Sequence, residues 1–104
     1  MFSQRITRRL IVSVDPIEQR AAVELHGAGH PLPYAVTAGP DPAGGWLVAD
    51  ACDPEPTWRA TFPEAIGEAI ARAGDMLEDQ LVRALLRAEA GRATPALSGA
   101  ADIC

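Results

Sequence analysis

Apolar and polar residues alternate along most of the first sixty positions, which is the pattern of half-buried β-strands. In the first such segment, residues 9–15, Leu10, Val12 and Val14 would share one face. Five segments carry β-like sequence, and residues that favour turns separate them: 9–15, 21–26, 34–38, 46–50 and 57–61. We predict that consecutive segments pair as antiparallel strands, because most connections are short, while residues 27–33 (G-A-G-H-P-L-P) form a longer connector.

A different period, of three and four residues, begins at Thr61 and continues to Gly91. Thr61 and Glu64 have the spacing of a capping box, and Pro63 is tolerated because its missing N–H lies in the first helical turn. One apolar stripe at helical spacing runs along this segment, and its members are Phe62, Ile66, Ala69, Ile70, Ala73, Leu77, Leu81, Ala84, Leu85 and Ala88. The stripe keeps its phase across Gly74, so we predict one helix that ends at Gly91. The alternative is a break at Gly74, with the second half folded back as a hairpin.

These elements predict an α+β fold: an antiparallel sheet of about five strands in meander order, with one long C-terminal helix packed on one face. The 104 residues suffice for one core, so we assign residues 1–91 to a single α+β domain. Residues 92–104 are small and include Pro and Gly, and we predict a flexible C-terminal tail there.

The predicted helix is longer than the sheet that would cover it. Thirty helical residues span about 45 Å, whereas a strand of five or six residues spans about 17–20 Å. The second half of the helix carries an apolar cluster that needs another surface: Leu77, Leu81, Val82, Leu85 and Leu86. We predict that this cluster contacts a partner protein, a second copy of the chain, or both.

Charge and composition narrow the class of partner. The formal net charge is -5, and the basic residues are nine arginines with no lysine. An acidic chain is a poor ligand for phosphate backbones, so we expect no nucleic-acid partner. The sequence contains no apolar run of the ~18–20 residues that span a bilayer, and we expect no membrane association and a cytoplasmic, bacterial location.

Metal and thiol chemistry find little support in the sequence. His26 and His30 are four residues apart but are surrounded by Gly and Pro, so no helix brings them to one face. The two cysteines, Cys52 and Cys104, do not make the repeated pattern of a disulfide framework or a zinc motif, and Cys52 lies among acids that would raise the pKa of its thiol. We expect no cofactor and no metal site.

An acidic cluster follows the fourth predicted strand, and its members are Asp50, Asp53 and Glu55. We interpret it as a solvated loop that could contact a partner. The alternatives, a cation site or acid–base groups of a small enzyme, lack any accompanying motif. We therefore expect no enzymatic activity.

Four motifs occur in order in the middle of the chain: Y-A-V at 34–36, an acidic glycine-containing turn at 41–45, G-W-L-V at 45–48 followed by Asp50, and T-F-P-E-A at 61–65. Over residues 34–73 this order resembles the HicB-like antitoxin family, although the family's D-L-P-G-C segment is replaced by A-D-A-C-D-P-E-P. An additional hairpin precedes the matched region, and no DNA-binding module follows it. The resemblance implies binding and inhibition of a small RNA-cleaving toxin rather than DNA binding.

The sequence thus predicts a small non-enzymatic protein-binding domain, antitoxin-like or immunity-like, that neutralises a partner protein through its sheet and long helix. The alternative is a structural or assembly protein, such as a phage or secretion component, that oligomerises through helix residues 76–88.

Overall fold

The computed structural model describes residues 5–53 and 55–93, with side chains up to residue 90. It contains one antiparallel sheet followed by one helix, which confirms the predicted α+β class. The elements are β1 Arg8–Asp15, β2 Arg20–Gly27, β3 His30–Pro40, β4 Trp46–Asp50, β5 Thr57–Arg59 and α1 Phe62–Ala93. The strands lie in chain order, so each pairs with the one before it, as in a meander. The predicted tail from residue 94 onward lies outside the described residues.

One face of the sheet forms the core with α1. In the antiparallel register Val23 lies opposite both Val12 of β1 and Val36 of β3, so these side chains point to the same face. The buried members of this face are Ala21, Val23, Leu25, Tyr34, Val36, Ala38 and Val48. Val12 and Val14 of β1 lie opposite Val23 and Ala21 and so share one face, as predicted.

The predicted connector at 27–33 is wrong in extent, because β3 already begins at His30. The turn needs only Ala28 and Gly29, whose φ angles of 54° and 85° suit a two-residue hairpin of type I′. Pro31 and Pro33 do not interrupt β3, since β4 pairs with it only from Val36 onward. Proline is tolerated in a stretch of strand that has a neighbour on one side.

Helix α1 is continuous through Gly74, so the folded-back alternative is wrong. At its start, the Glu64 N–H donates to Thr61 Oγ1 over 3.3 Å, and the Thr61 hydroxyl donates to Glu64 Oε1 over 2.9 Å. The predicted cap is thereby confirmed. The helix also passes through Gly91 and ends at Ala93 rather than at the glycine.

The buried face of α1 agrees with the predicted stripe only in part. Ala69 and Ala73 are completely buried as predicted, but so is Ala65, which the stripe omitted, whereas Ile70 is exposed. Alanine is the smallest side chain available to a helix interior, so these three positions let the helix backbone lie close to the sheet. The larger aliphatic residues beside them are left at the margin of the contact.

The helix crosses the sheet and extends beyond its edge. Its first residue, Phe62, packs on Trp46 with ring centroids 6.0 Å apart, and α1 contacts all five strands. The strands β1 to β3 are longer than predicted, which extends the cover up to Gln80, a residue only 1% exposed. None of residues 81–90 is buried. The molecule is elongated as a result, measuring 54 × 24 × 16 Å.

Candidate functional site

A network of ion pairs joins the helix to the sheet at Arg72. The guanidinium donates from Nη1 to Asp50 Oδ2 over 3.1 Å and from Nε to Glu68 Oε2 over 3.0 Å, and its Nη2 donates to the Thr57 hydroxyl. Arg59 of β5 donates to the other oxygen of Glu68. Helix α1 is therefore attached to both β4 and β5 by charged hydrogen bonds.

Asp50 is the anchor of this network and also organises the loop after β4. Its Oδ1 accepts hydrogen bonds from the backbone N–H groups of Cys52, over 2.8 Å, and Asp53, over 2.7 Å. Its side chain is 8% exposed. Burial alone would raise the pKa of Asp50, but the two backbone donors and the Arg72 guanidinium outweigh that effect and hold the pKa below its ordinary value.

The network also favours the charged forms of Glu68 and Arg72. The hydrogen bond from Arg72 lowers the pKa of Glu68 despite partial burial. For Arg72, burial opposes the charge, but the bonds to Glu68 and Asp50 prevail and raise its pKa. Depressed carboxyl pKa values stabilise the fold above the ordinary carboxyl range. This stabilisation is lost as the pH falls through the folded-state values.

The three acids of the predicted acidic loop do not share one environment in the structure. Asp50 is half of an internal ion pair and is not presented to solvent, whereas Asp53 and Glu55 are exposed. Asp53 Oδ1 accepts the Glu55 N–H over 3.0 Å, which shapes the loop locally. Any contact with a partner at this loop would therefore involve Asp53 and Glu55.

Tyr34 lies beside the network and gives it a spectroscopic reporter. Burial, followed by the negative charge of Asp50, raises the pKa of its phenol to about 12. Since the folded-state pKa lies above the ordinary value near 10, the contribution to stability is complete below pH 10 and is lost between pH 10 and 12.

We expect an absorbance titration at 295 nm to show this shift cleanly, because Tyr34 is the only tyrosine. The native protein should ionise with a midpoint near 12, and the protein in denaturant should ionise about two units lower. A native midpoint near 10, with far-UV circular dichroism still native, would contradict the packing of Tyr34 against Asp50.

The two histidines and Cys52 come from different elements, namely β2, β3 and the loop after β4. His26 and His30 lie on either side of the β2–β3 turn, in neighbouring strands. Cys52 packs against the core and is disulfide-bonded, so the free thiol considered in the sequence analysis is absent. Within residues 5–53 and 55–93, no group of three or more His, Cys, Asp or Glu side chains is placed to hold a metal ion.

The outer side of α1 presents a different kind of surface. Four aliphatic side chains are adjacent there at i, i+1, i+4 and i+5 spacing, with exposed fractions of 36%, 50%, 52% and 58%: Leu81, Val82, Leu85 and Leu86. We call these four residues the outer apolar patch. With 3.6 residues per turn, the patch is centred on the side of the helix opposite the buried Gln80. Leu77, which the sequence grouped with them, packs instead against the core.

Acidic residues accompany the outer apolar patch. Glu78 and Glu89 are exposed and fall on the same side of α1, one at each end of the patch. The two basic residues between them, Arg83 and Arg87, fall on other sides of the helix at 3.6 residues per turn, and Arg83 forms an ion pair with Asp79 over 2.8 Å. The patch is thus an apolar surface with negative ends.

Comparisons with known proteins add no further information. No family model, no curated protein and no solved structure matches this chain. No helix in the described part of the chain combines the length and the apolar character needed to cross a bilayer.

The pair of Glu68 and Arg72 has an i, i+4 spacing that is visible in the sequence, whereas the part of Asp50 in the network is not. Asp50 precedes Arg72 by 22 residues, and nothing in the local sequence links the two. The one available signal was that β4 ends in an acid while the helix carries an arginine on its sheet side.

Proposed function

We propose that this protein is a small non-enzymatic binding domain, of the antitoxin or immunity type, that neutralises a partner protein. The partner docks on the outer apolar patch. The observation that carries the proposal is that four adjacent aliphatic side chains remain exposed on the side of α1 that the sheet does not cover. Exposed clusters of this kind mark interaction sites in soluble proteins, whereas single exposed aliphatic residues are ordinary.

The energetics of the patch suit a specific complex. Complete burial of a leucine or valine side chain contributes about 1.5–3 kcal/mol, so covering the exposed half contributes on the order of 1 kcal/mol for each residue. The rigid backbone of α1 presents the four side chains without further ordering, which lowers the entropic cost of association. An amphipathic helix that fits an apolar groove is a common mode of protein recognition.

The charges specify the partner further. Glu78 and Glu89 at the ends of the patch, together with the net charge of -5, favour a basic partner and accelerate its encounter. A small basic toxin has this character. The resemblance of residues 34–73 to the HicB-like family supports the same class of partner.

The proposal can be tested with the double variant Leu85→Glu, Leu86→Glu. These two side chains are the most exposed of the patch, so the substitution should leave the melting temperature nearly unchanged while it opposes apolar docking. The measurement begins with tagged wild-type protein in a lysate of the native host. A retained small basic protein is then purified and titrated by calorimetry against wild type and variant.

We expect stoichiometric binding to wild type and at least a 100-fold weaker Kd for the variant. Ile70→Glu is the matched control, because Ile70 is an exposed aliphatic residue of α1 outside the patch; it should bind as wild type does. Equal affinities of all three proteins would refute docking on the patch. The assembly function would be supported instead by light scattering that shows a large homomeric particle of wild type in the absence of any partner, and no such particle of the double variant.

A further inference from the structure

Strand β1 is an edge strand with an unusual surface. It is eight residues long and has β2 as its one strand neighbour among the described residues. Val12 and Val14 lie opposite the buried Val23 and Ala21, so they point to the helix side of the sheet, yet they are 44% and 45% exposed. Natural edge strands are usually short, or they carry lysine, proline or a bulge that prevents pairing. In contrast, β1 contains no proline, pairs with β2 without a bulge, and carries its charged residues, Arg8, Arg9 and Asp15, only at its two ends.

The opposite edge of the sheet does not share these properties. Strand β5 has three residues, Thr57–Arg59, and is followed at once by the turn into α1. A strand of that length offers few backbone groups for pairing. The asymmetry indicates that β1 is the edge at which the sheet can be extended.

We propose that β1 pairs antiparallel with β1 of a second copy of this chain, so that the two sheets form one ten-stranded sheet. The occupant is a second copy because the sequence of β1 is complementary to itself. A two-fold axis perpendicular to the sheet keeps both helices on the same face, and it requires each residue to lie opposite one that points to that same face. One residue of β1 must therefore lie opposite the same residue of the second copy, with the axis midway between them; that residue defines the register.

One register satisfies both charge and apolar contact. With the axis at Val12, the residue opposite Arg9 is Asp15 of the second copy, and the residue opposite Leu10 is Val14 of the second copy. Both pairs occur twice by symmetry. Cross-strand pairs of opposite charge and of branched aliphatic residues each contribute about 0.2–1 kcal/mol.

Neighbouring registers are less favourable. With the axis at Ile11, Arg8 lies opposite Val14 of the second copy. With the axis at Ser13, Asp15 lies opposite Ile11 of the second copy. Each places a charge against an aliphatic residue. The register centred on Val12 is thus the one that covers the exposed valines and also pairs the charges.

The test combines mass, a disruptive variant and a register-specific crosslink. At about 100 µM, above the micromolar Kd that suits a small interface, we expect light scattering to give wild type twice its 11.0 kDa chain mass. The variant Val12→Lys places two like charges opposite each other at the axis and should halve that mass. Because Val12 is largely exposed, the melting temperature should change little.

The variant Val12→Cys should form a covalent dimer under mild oxidation on non-reducing gels, whereas Ile11→Cys and wild type should not. This crosslink also reports on the register if Val12→Lys fails to fold. A monomeric wild type at all concentrations, or crosslinking of Ile11→Cys in preference to Val12→Cys, would overturn the inference. Loss of the dimer in Leu85→Glu, Leu86→Glu but not in Val12→Lys would assign the contact to the helix and would also overturn it. The partner-binding proposal does not depend on this dimer, because the two contacts use different elements, α1 and β1. The Val12→Lys variant should therefore bind the basic partner as wild type does.

Discussion

Replacing Arg72 with methionine is expected to destabilise the protein by about 3 kcal/mol or more at pH 7, because removal of one partner leaves buried charges uncompensated. Asp50, whose side chain is only 8% exposed, would lose its guanidinium partner, while Glu68, at 22% exposed, would keep only its pair with Arg59. For a domain of this size the melting temperature should fall by about 12 °C or more. Urea denaturation followed by circular dichroism measures the loss directly.

The pH dependence distinguishes this mechanism from a simple loss of packing. The pKa values of Asp50 and Glu68 lie below the ordinary range in the wild type, so the contribution of the network is complete at neutral pH. It disappears as the pH falls through those values, and the difference between wild type and Arg72→Met should therefore narrow in acid. A difference that stays constant from pH 7 to pH 3 would show that packing, rather than charge, causes the loss.

Arg83→Met is the matched control on the same helix. Arg83 also pairs with an acid four residues earlier, but both of its ion-pair side chains are about 45% exposed. Exposed pairs of this type contribute about 0.3–0.5 kcal/mol, so the control should change stability by less than about 1 kcal/mol. Equal effects at positions 72 and 83 would contradict the assignment of Arg72 as the link between helix and sheet.

Enlarging Ala69 to leucine is expected to destabilise the fold by about 2–3 kcal/mol, because the added atoms have no space between helix and sheet. Ala69 is completely buried, whereas Ala71, two residues later, is exposed. Ala71→Leu therefore makes the same chemical change on the solvent side and should be nearly neutral. Chemical denaturation of the two variants measures the contrast, and similar stabilities would refute the close helix–sheet contact.

The parts of the fold that follow from local sequence were predictable. The strand at Trp46–Asp50, the cap at Thr61 and the continuity of the helix across Gly74 all depend on residues within a few positions of one another. The extent of β3 was not, because Pro31 and Pro33 normally indicate a loop. They are accommodated because β4 covers only the later part of that strand, which is a property of the sheet as a whole.

The buried side of α1 illustrates a second limit. Hydrophobicity alone ranks Ile70 and Leu81 above Ala69 as core residues, yet the helix turns its alanines to the sheet. The choice depends on the distance between the two layers, which a single sequence does not encode explicitly. For the same reason Leu77 could not be separated beforehand from the outer apolar patch.

Asp50 shows why the candidate site was harder to predict than the fold. Its role depends on a contact with Arg72, which is near in space but distant in the chain. As a sequence feature it is simply one acid among three in a loop. In the structure Asp50 pairs with Arg72, whereas Asp53 and Glu55 are exposed to solvent.

The meander order has a consequence for how the chain reaches this state. Each strand from β2 to β5 pairs with its immediate predecessor, and the helix that closes the core is synthesised after all five strands. Sheet contacts close over short loops, which favours rapid folding. Until α1 leaves the ribosome, however, the apolar face of the sheet has no cover. The nascent chain is therefore more vulnerable to aggregation before α1 emerges than after it.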